Sequence, residues 1–172
     1  MLRELHLVNP TVNPYKAFTT MSDDYRHAGE LLYQHELSWN PERFEQYLHR
    51  LADHARGIDL PPGKMPIITY WLIDQDEHLA GVSRLRPILN DELLHEGGNI
   101  GYDVPPSQRM KGYGTELLRQ TLLKAQQLRL KKILVTCNKD NIGSKRSLKA
   151  TVARRQVKEF RRRTGSRSCG FG

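Results

Sequence analysis

The sequence predicts an α/β (α+β) domain, and three observations support this. Strand-like and helical patterns alternate along one chain of domain size, a β-prone run leads into a glycine-containing turn, and a helical face follows that turn directly. With 172 residues, 38% of them hydrophobic, the chain can bury one modest core and has no room for a second large domain.

Leu5 to Val8 reads as a short strand, and Tyr15 to Gln34 contains a helical segment. Asn40-Pro41-Glu42-Arg43 then supplies a cap, a proline at the first helical position and an acid near the helix start, for a helix running to about His54. Gly57 to Pro66, with three prolines and two glycines, is a loop. Ile67 to Ile73 is a buried strand, Asp74-Gln75-Asp76-Glu77 turns, and His78 to Leu85 returns. Asn99 to Val104 alternates and is β-prone until Pro105-Pro106 stops it. From Thr115 a helix places Leu118, Leu122 and Ala125 on one face, and Ile133 to Cys137 is a further strand.

Between strand and helix lies Arg109-Met110-Lys111-Gly112-Tyr113-Gly114. Glycine permits backbone dihedrals and close ligand approach that a side chain would block, and the first amides of a helix have no internal partner. Such a turn is suited to an anion, and Arg109 and Lys111 add charge that fits a pyrophosphate or a nucleotide 3′-phosphate. A dinucleotide-binding loop would need a third glycine where the chain has Leu117, and an acid at the end of the next strand. A P-loop is excluded because no Gly-Lys-Ser/Thr follows at the required spacing.

Arg109-x-x-Gly112-x-Gly114 follows a strand, opens a helix and precedes the run ending in Asn138-Lys139-Asp140-Asn141. It resembles the acetyl-CoA-binding core of the GNAT superfamily of N-acetyltransferases, whose signature is Arg/Gln-x-x-Gly-x-Gly/Ala. The element order over residues 1–144 is similar to that of the family too. The resemblance implies a central mixed, mostly antiparallel sheet flanked by helices, with the fourth and fifth strands splayed around acetyl-CoA as co-substrate. It further implies that the backbone around Tyr102, Asp103 and Val104 holds the pantetheine arm and polarises the thioester carbonyl. The amides of Arg109, Met110, Lys111, Gly112, Tyr113, Gly114 and Thr115 would bind the pyrophosphate. Asn141 matches a cofactor-contacting position of the family, with Asn138 assisting the turn; as a residue type either asparagine also serves as a helix cap.

The implied activity is transfer of acetyl to a primary amine of a small molecule or peptide, by direct attack in a ternary complex. An amine attacks only when unprotonated, so a base must accept its proton. Glu96, just ahead of the strand, is the first candidate, with Asp103 and His95 behind it. Arg84 and Arg86, two apart on a strand, point to one face and would bind an acidic group of the substrate if that face lines the groove. In the family a tyrosine on the fourth helix commonly protonates the leaving thiolate, and this chain has no tyrosine after Tyr113. Trp39, Tyr70 and Trp71 could form a stacking surface, but core or groove-lining positions are the more common use of such residues.

Cys137 and Cys169 are the only cysteines, which excludes a disulfide scaffold and a Cys-x-x-Cys metal site, and Cys137 reads as a small core residue. His49 and His54, five apart, do not share a helix face as two ligands would, so no metal is assigned. No apolar run reaches spanning length and no signal peptide opens the chain, so a cytoplasmic protein without membrane partners is expected.

The formal charge is +8, yet residues 145–172 hold ten Lys or Arg against one acid. The body, 1–144, therefore carries 17 bases and 18 acids. One reading makes 145–172 a nucleic-acid- or ribosome-binding tail, although it shows neither strand alternation nor aromatic interleaving. Another comes from the genetic code. Ser147 to Ala153 can be encoded so that a shifted frame reads I-E-G-N-G-G, similar to a segment on and after the fourth helix of some GNAT subfamilies. Cys169 to Gly172 permits R-F-W in the same frame, like the aromatic end of their last strand. The expectation is a frame-shifted, aberrant basic stretch from about Lys145, with the last strands missing. The fifth strand would then expose an edge open to a second copy as a homodimer, and activity would be reduced or absent.

Overall fold

The computed structural model describes residues 4–11, 13–33, 39–138, 141–151 and 157–160; for Asn138 and 157–160 it describes the backbone. The elements run β1 (Leu5–Val8), α1 (Tyr15–His27), α2 (Pro41–Arg56), β2 (Ile68–Asp74), β3 (Leu79–Leu85), α3 (Asp91–His95) and β4 (Ile100–Asp103). They continue with a single 3-10 turn (Pro106–Gln108), α4 (Tyr113–Gln127), β5 (Val135–Asn138), α5 (Ile142–Thr151) and β6 (Val157–Phe160).

Local chemistry sets the ends. The Asn40 side chain accepts from the Arg43 amide at 2.8 Å, with Pro41 in the first helical turn. Helix α1 lies within the Tyr15 to Gln34 span and ends at His27, where the chain reverses at Gly29 and the Glu30 amide bonds back to the Tyr25 carbonyl. The β2–β3 turn is closed by the Asp74 carboxylate, which accepts from the amides of Asp76 and His78 at 3.0 and 2.9 Å.

Strands β1, β2, β3 and β4 form an antiparallel sheet in that order. One face packs under α4 through Leu117, Leu118, Leu122 and Ala125, against Leu72, Leu85, Ile100 and Val135. The other receives α1 and α2, where Phe18 and Phe44 lie 5.7 and 6.0 Å from the Trp71 ring. Trp71 is fully buried, Tyr70 is buried on the α4 face, and Trp39 sits 4.8 Å from Phe18, so these aromatics serve the core. The free edge of β1 is covered by Gln120 of α4, which accepts from the Leu7 amide and donates to the Leu5 carbonyl, both at 2.8 Å.

The fifth strand leaves this sheet. β5 pairs in parallel with β6 from Val135↔Val157 to Asn138↔Phe160, with α5 as the crossover. The basic stretch thus supplies a strand where its lack of alternation suggested none, and β5 has a neighbour on that side. Backbone pairing, which every residue type except proline can supply, is what joins them. Helix α5 begins before position 144 and packs on α4, with Ser147 and Leu148 buried. The R-F-W part of the shifted-frame reading, and Cys169, lie outside the described residues. Among the described residues no helix is long and apolar enough to cross a membrane.

Candidate functional site

β4 and β5 touch only at their starts. Gly98 bridges Val135, the Asn99 amide donates to the Leu134 carbonyl at 2.7 Å, and the two strands then part into different sheets. Asn99 pins this vertex. Its buried side chain accepts from the Leu134 amide at 2.7 Å and donates to the Arg86 carbonyl at 2.8 Å, while its carbonyl accepts from the Arg86 amide at 2.7 Å. Gly98 beside it has φ +61, and a Cβ there would lie 2.5 Å from the Leu134 carbonyl oxygen, so only glycine admits this approach. Beyond the vertex, one edge of β4 pairs with β3 and the other faces β5 unpaired. An extended chain can add itself to such an edge.

The wide end of this V meets the glycine loop. Met110 and Gly112 both take left-handed conformations, and the Gly112 carbonyl accepts from Thr115 and Glu116 at 3.1 and 3.2 Å. The amides of Tyr113 and Gly114, first in α4, have no acceptor within the helix. A Cβ on Gly114 would meet Ser147 Oγ at 3.2 Å and the side chains of Tyr102 and Val104 at 3.6 Å, so the loop lies hard against the V. Thr115 donates to Ser147 Oγ at 3.3 Å.

The loop's cations are arranged differently from the charge cradle expected. Arg109 forms a bidentate pair with Glu30 at 2.6 and 2.7 Å and donates to the Val104 carbonyl at 3.1 Å. The bond to Glu30 raises the pKa of the guanidinium. Its side chain thus braces β4 and the loop against the segment after α1, as Asp24 does by accepting from the Ser107 amide and hydroxyl. Exposed Lys111 donates to Gln108 at 3.0 Å. Both line a groove of about 450 Å³ with Asp74, His78, Ala80 and Tyr113. In the same turn Asp74, Asp76 and His78 bring ligand-type atoms within 4.8 Å of one another, and Asp74 there accepts the two amides that close the hairpin.

On the α1 side of the V, Arg84 pairs with Asp103 and donates to the Tyr33 hydroxyl at 2.6 Å; that hydroxyl donates to Asp103 at 3.2 Å. Burial alone would lower the Arg84 pKa, and the adjacent Asp103 charge outweighs it, so the group is held charged. Burial raises the Tyr33 hydroxyl well above its ordinary value, which keeps it a donor. Asp103 is therefore engaged by Arg84, and Arg84 points to Asp103 and Tyr33. Arg86 is buried and donates to the Gly98 carbonyl at 3.3 Å, beneath Gly101.

Glu96 is exposed just past α3, its amide bonded to the Glu92 carbonyl at 2.8 Å, three residues ahead of Asn99, and His95 beside it is exposed as well. Asn141 caps α5 by accepting from the Ser144 amide at 2.9 Å. Asn138 is the last residue of β5, and its side chain lies outside the description. The Tyr102 hydroxyl is buried against Ser144 and Ser147 of α5; burial raises its pKa, and the two serine hydroxyls act in the opposite direction. Sequence reading missed Asn99 and Tyr33. The signal for Asn99 was a polar residue following two glycines at a strand start, and Tyr33 offered none.

A family model described as "Acetyltransferase (GNAT) domain" matches residues 5–151. No curated protein matches the chain in sequence. Among solved structures, Mycobacterium smegmatis RimJ in complex with CoA-disulfide superposes with a TM-score of 0.59 at 15% identity, over 84% of this chain and 68% of that one. A Vibrio cholerae protein assigned as a ribosomal-protein-serine acetyltransferase superposes with a TM-score of 0.53 at 16% identity, over 86% and 78%. With a family match over most of its length and the splayed strands and glycine loop in place, the chain belongs to the GNAT acetyltransferase family.

Proposed function

We propose that the protein moves an acetyl group from acetyl-CoA to a primary amine of a small molecule or peptide, by direct attack in a ternary complex in the cytoplasm. The observation that supports this best is the V between β4 and β5, opening onto the amides of Tyr113 and Gly114. The residues present fit the co-substrate. An unpaired strand edge suits the pantetheine amides, and at Gly114 an added Cβ would meet Ser147 Oγ at 3.2 Å, so glycine leaves the tight approach of the loop free. When bound, acetyl-CoA supplies an activated thioester.

The chain's residues bind and orient. Amides of the Arg109–Thr115 loop would hold the pyrophosphate, and the backbone of Tyr102, Asp103 and Val104 would polarise the thioester carbonyl. Glu96, exposed ahead of the vertex, is our candidate for taking the amine's proton. A peptide amine stays among the acceptors because the Vibrio cholerae protein of similar fold is assigned to a ribosomal protein.

Acetyl-CoA at about 100 times its Kd adds about 2.7 kcal/mol, so the melting temperature rises by about 5–10 °C, and Gly114→Val abolishes the rise. An unchanged melting temperature in the original chain rules the reading out. Salt-sensitive binding of DNA or RNA would instead favour the basic-tail reading, which rests on the charge of residues 145–172.

We also propose that 1–144 is the acetyltransferase domain and that 145–172 is a frame-shifted stretch that lowers activity. Sequencing the gene is expected to find codons for Ser147 to Ala153 that read I-E-G-N-G-G in the shifted frame. Codons that cannot do so end the proposal.

A further inference from the structure

The alternation of β4 gives the V two sides. Tyr102 turns toward Ser147 and the Gly114 position, on the side of α4 and α5, whereas Asp103 turns to Tyr33 and Arg84 on the side of α1. The amides that would take the pyrophosphate open α4, so the acyl donor fills the α4 side and an amine attacking directly comes from the α1 side. Residues 24–33 line that side. Residues 26–29 and Leu31 are exposed, and side chains at three points fasten the stretch to the parts that the cofactor would touch. Asp24 accepts from the Ser107 amide and hydroxyl at 3.0 and 2.8 Å, Glu30 holds Arg109 at 2.6 and 2.7 Å, and the Tyr33 hydroxyl donates to Asp103 at 3.2 Å. Arg109 is the joint among them. Its Nε reaches the Val104 carbonyl at 3.1 Å while its two terminal nitrogens grip Glu30, so one guanidinium ties the end of β4, the glycine loop and the α1 side together. The side chains of Arg109 and Glu30 are 46% and 34% exposed, and an ion pair this open adds little to global stability. Its bidentate geometry fixes a position instead.

We propose that Glu30 is a positioning residue that passes the order of the filled cofactor loop to residues 24–33, so that the amine meets an ordered wall when acetyl-CoA is bound. The inference rests on the acetyltransferase reading above. Its basis is conformational entropy. A pyrophosphate on the loop amides restrains Arg109, and Glu30, gripped by that guanidinium, loses freedom with it, so part of the ordering of the stretch is complete before the acceptor arrives. Linkage makes the effect mutual, and an acceptor that orders residues 24–33 tightens acetyl-CoA binding by the same factor. Glu30→Gln keeps the length of the side chain but sets an amide NH2 against an arginine N–H, which breaks the two-point grip.

Hydrogen–deuterium exchange of the full chain, with and without saturating acetyl-CoA, tests this without an acceptor or turnover. In the original protein the ligand is expected to slow exchange in residues 98–116 and also in residues 26–33, the latter by about fivefold or more, the low end of coupling between two sites. In Glu30→Gln residues 98–116 are expected to slow as before, while residues 26–33 keep their ligand-free rate. A purely structural role for Glu30 would instead speed exchange of residues 26–33 in the free variant and leave the ligand's effect on them intact. Exchange of residues 26–33 that the ligand leaves unchanged in the original, or slows equally in Glu30→Gln, overturns the role of Glu30 and leaves the acetyltransferase reading standing. Loss of slowing at residues 98–116 in Glu30→Gln alone does the same, since Glu30 would then act on the loop itself. No slowing at residues 98–116 in the original overturns both.

Discussion

Asn99→Leu destabilises the protein by about 3 kcal/mol and removes the rise in melting temperature that acetyl-CoA causes. The substitution keeps the branched shape of the side chain but deletes two hydrogen bonds, leaving the Arg86 carbonyl and the Leu134 amide without the partners that satisfied them. Each buried group so orphaned costs about 1–3 kcal/mol. The binding loss has a separate cause. Asn99 joins β3, β4 and β5 at one point, so without it the two arms are no longer held at the spacing an inserted chain requires. Chemical denaturation measures the first effect and calorimetry with acetyl-CoA the second. A variant as stable as the original that binds the ligand equally well would show that the vertex does not depend on this side chain.

Arg84→Met costs about 3 kcal/mol, because it leaves the Asp103 carboxylate partly buried without its cation. The value is placed at the lower end of the usual range because the side chains of Arg84 and Asp103 keep 12% and 22% of their exposure. Adding Asp103→Asn recovers most of the loss, since the charge that needed compensation is gone. A double variant no more stable than Arg84→Met refutes the pairing as the source of the loss. Activity, if the chain has it, falls less in the double variant than in the single one, because Asp103 lies on β4, the strand proposed to hold the pantetheine arm.

The readable parts of the sequence were those governed by neighbours in the chain. The cap at Asn40, the β2–β3 turn and the helix starting at the glycine loop follow from dihedral preferences and hydrogen bonds within a few residues, and the structure places them as expected. The buried face of α4 was legible for the same reason, because Leu118, Leu122 and Ala125 recur at helical spacing. Strand β6 was missed because its pairing with β5 is a backbone matter that leaves no alternation to read.

The charged residues show the difference most clearly. Arg109 was expected to add charge to an anion-binding loop, yet its guanidinium is bound to Glu30, 79 positions earlier. Arg84 and Arg86 were legible as sharing a face. Only the register of β3 against β4 sets Arg84 beside Asp103 and carries Arg86 under Gly101.

By itself the sequence determined the family resemblance, the glycine turn between strand and helix and the order of the elements, because these depend on local spacing and on glycine where a side chain cannot fit. The tertiary structure decided where the two strands part and which charges neutralise one another. Those outcomes depend on strand register and on contacts between residues tens of positions apart, and pair geometry at that range is not encoded in any local pattern.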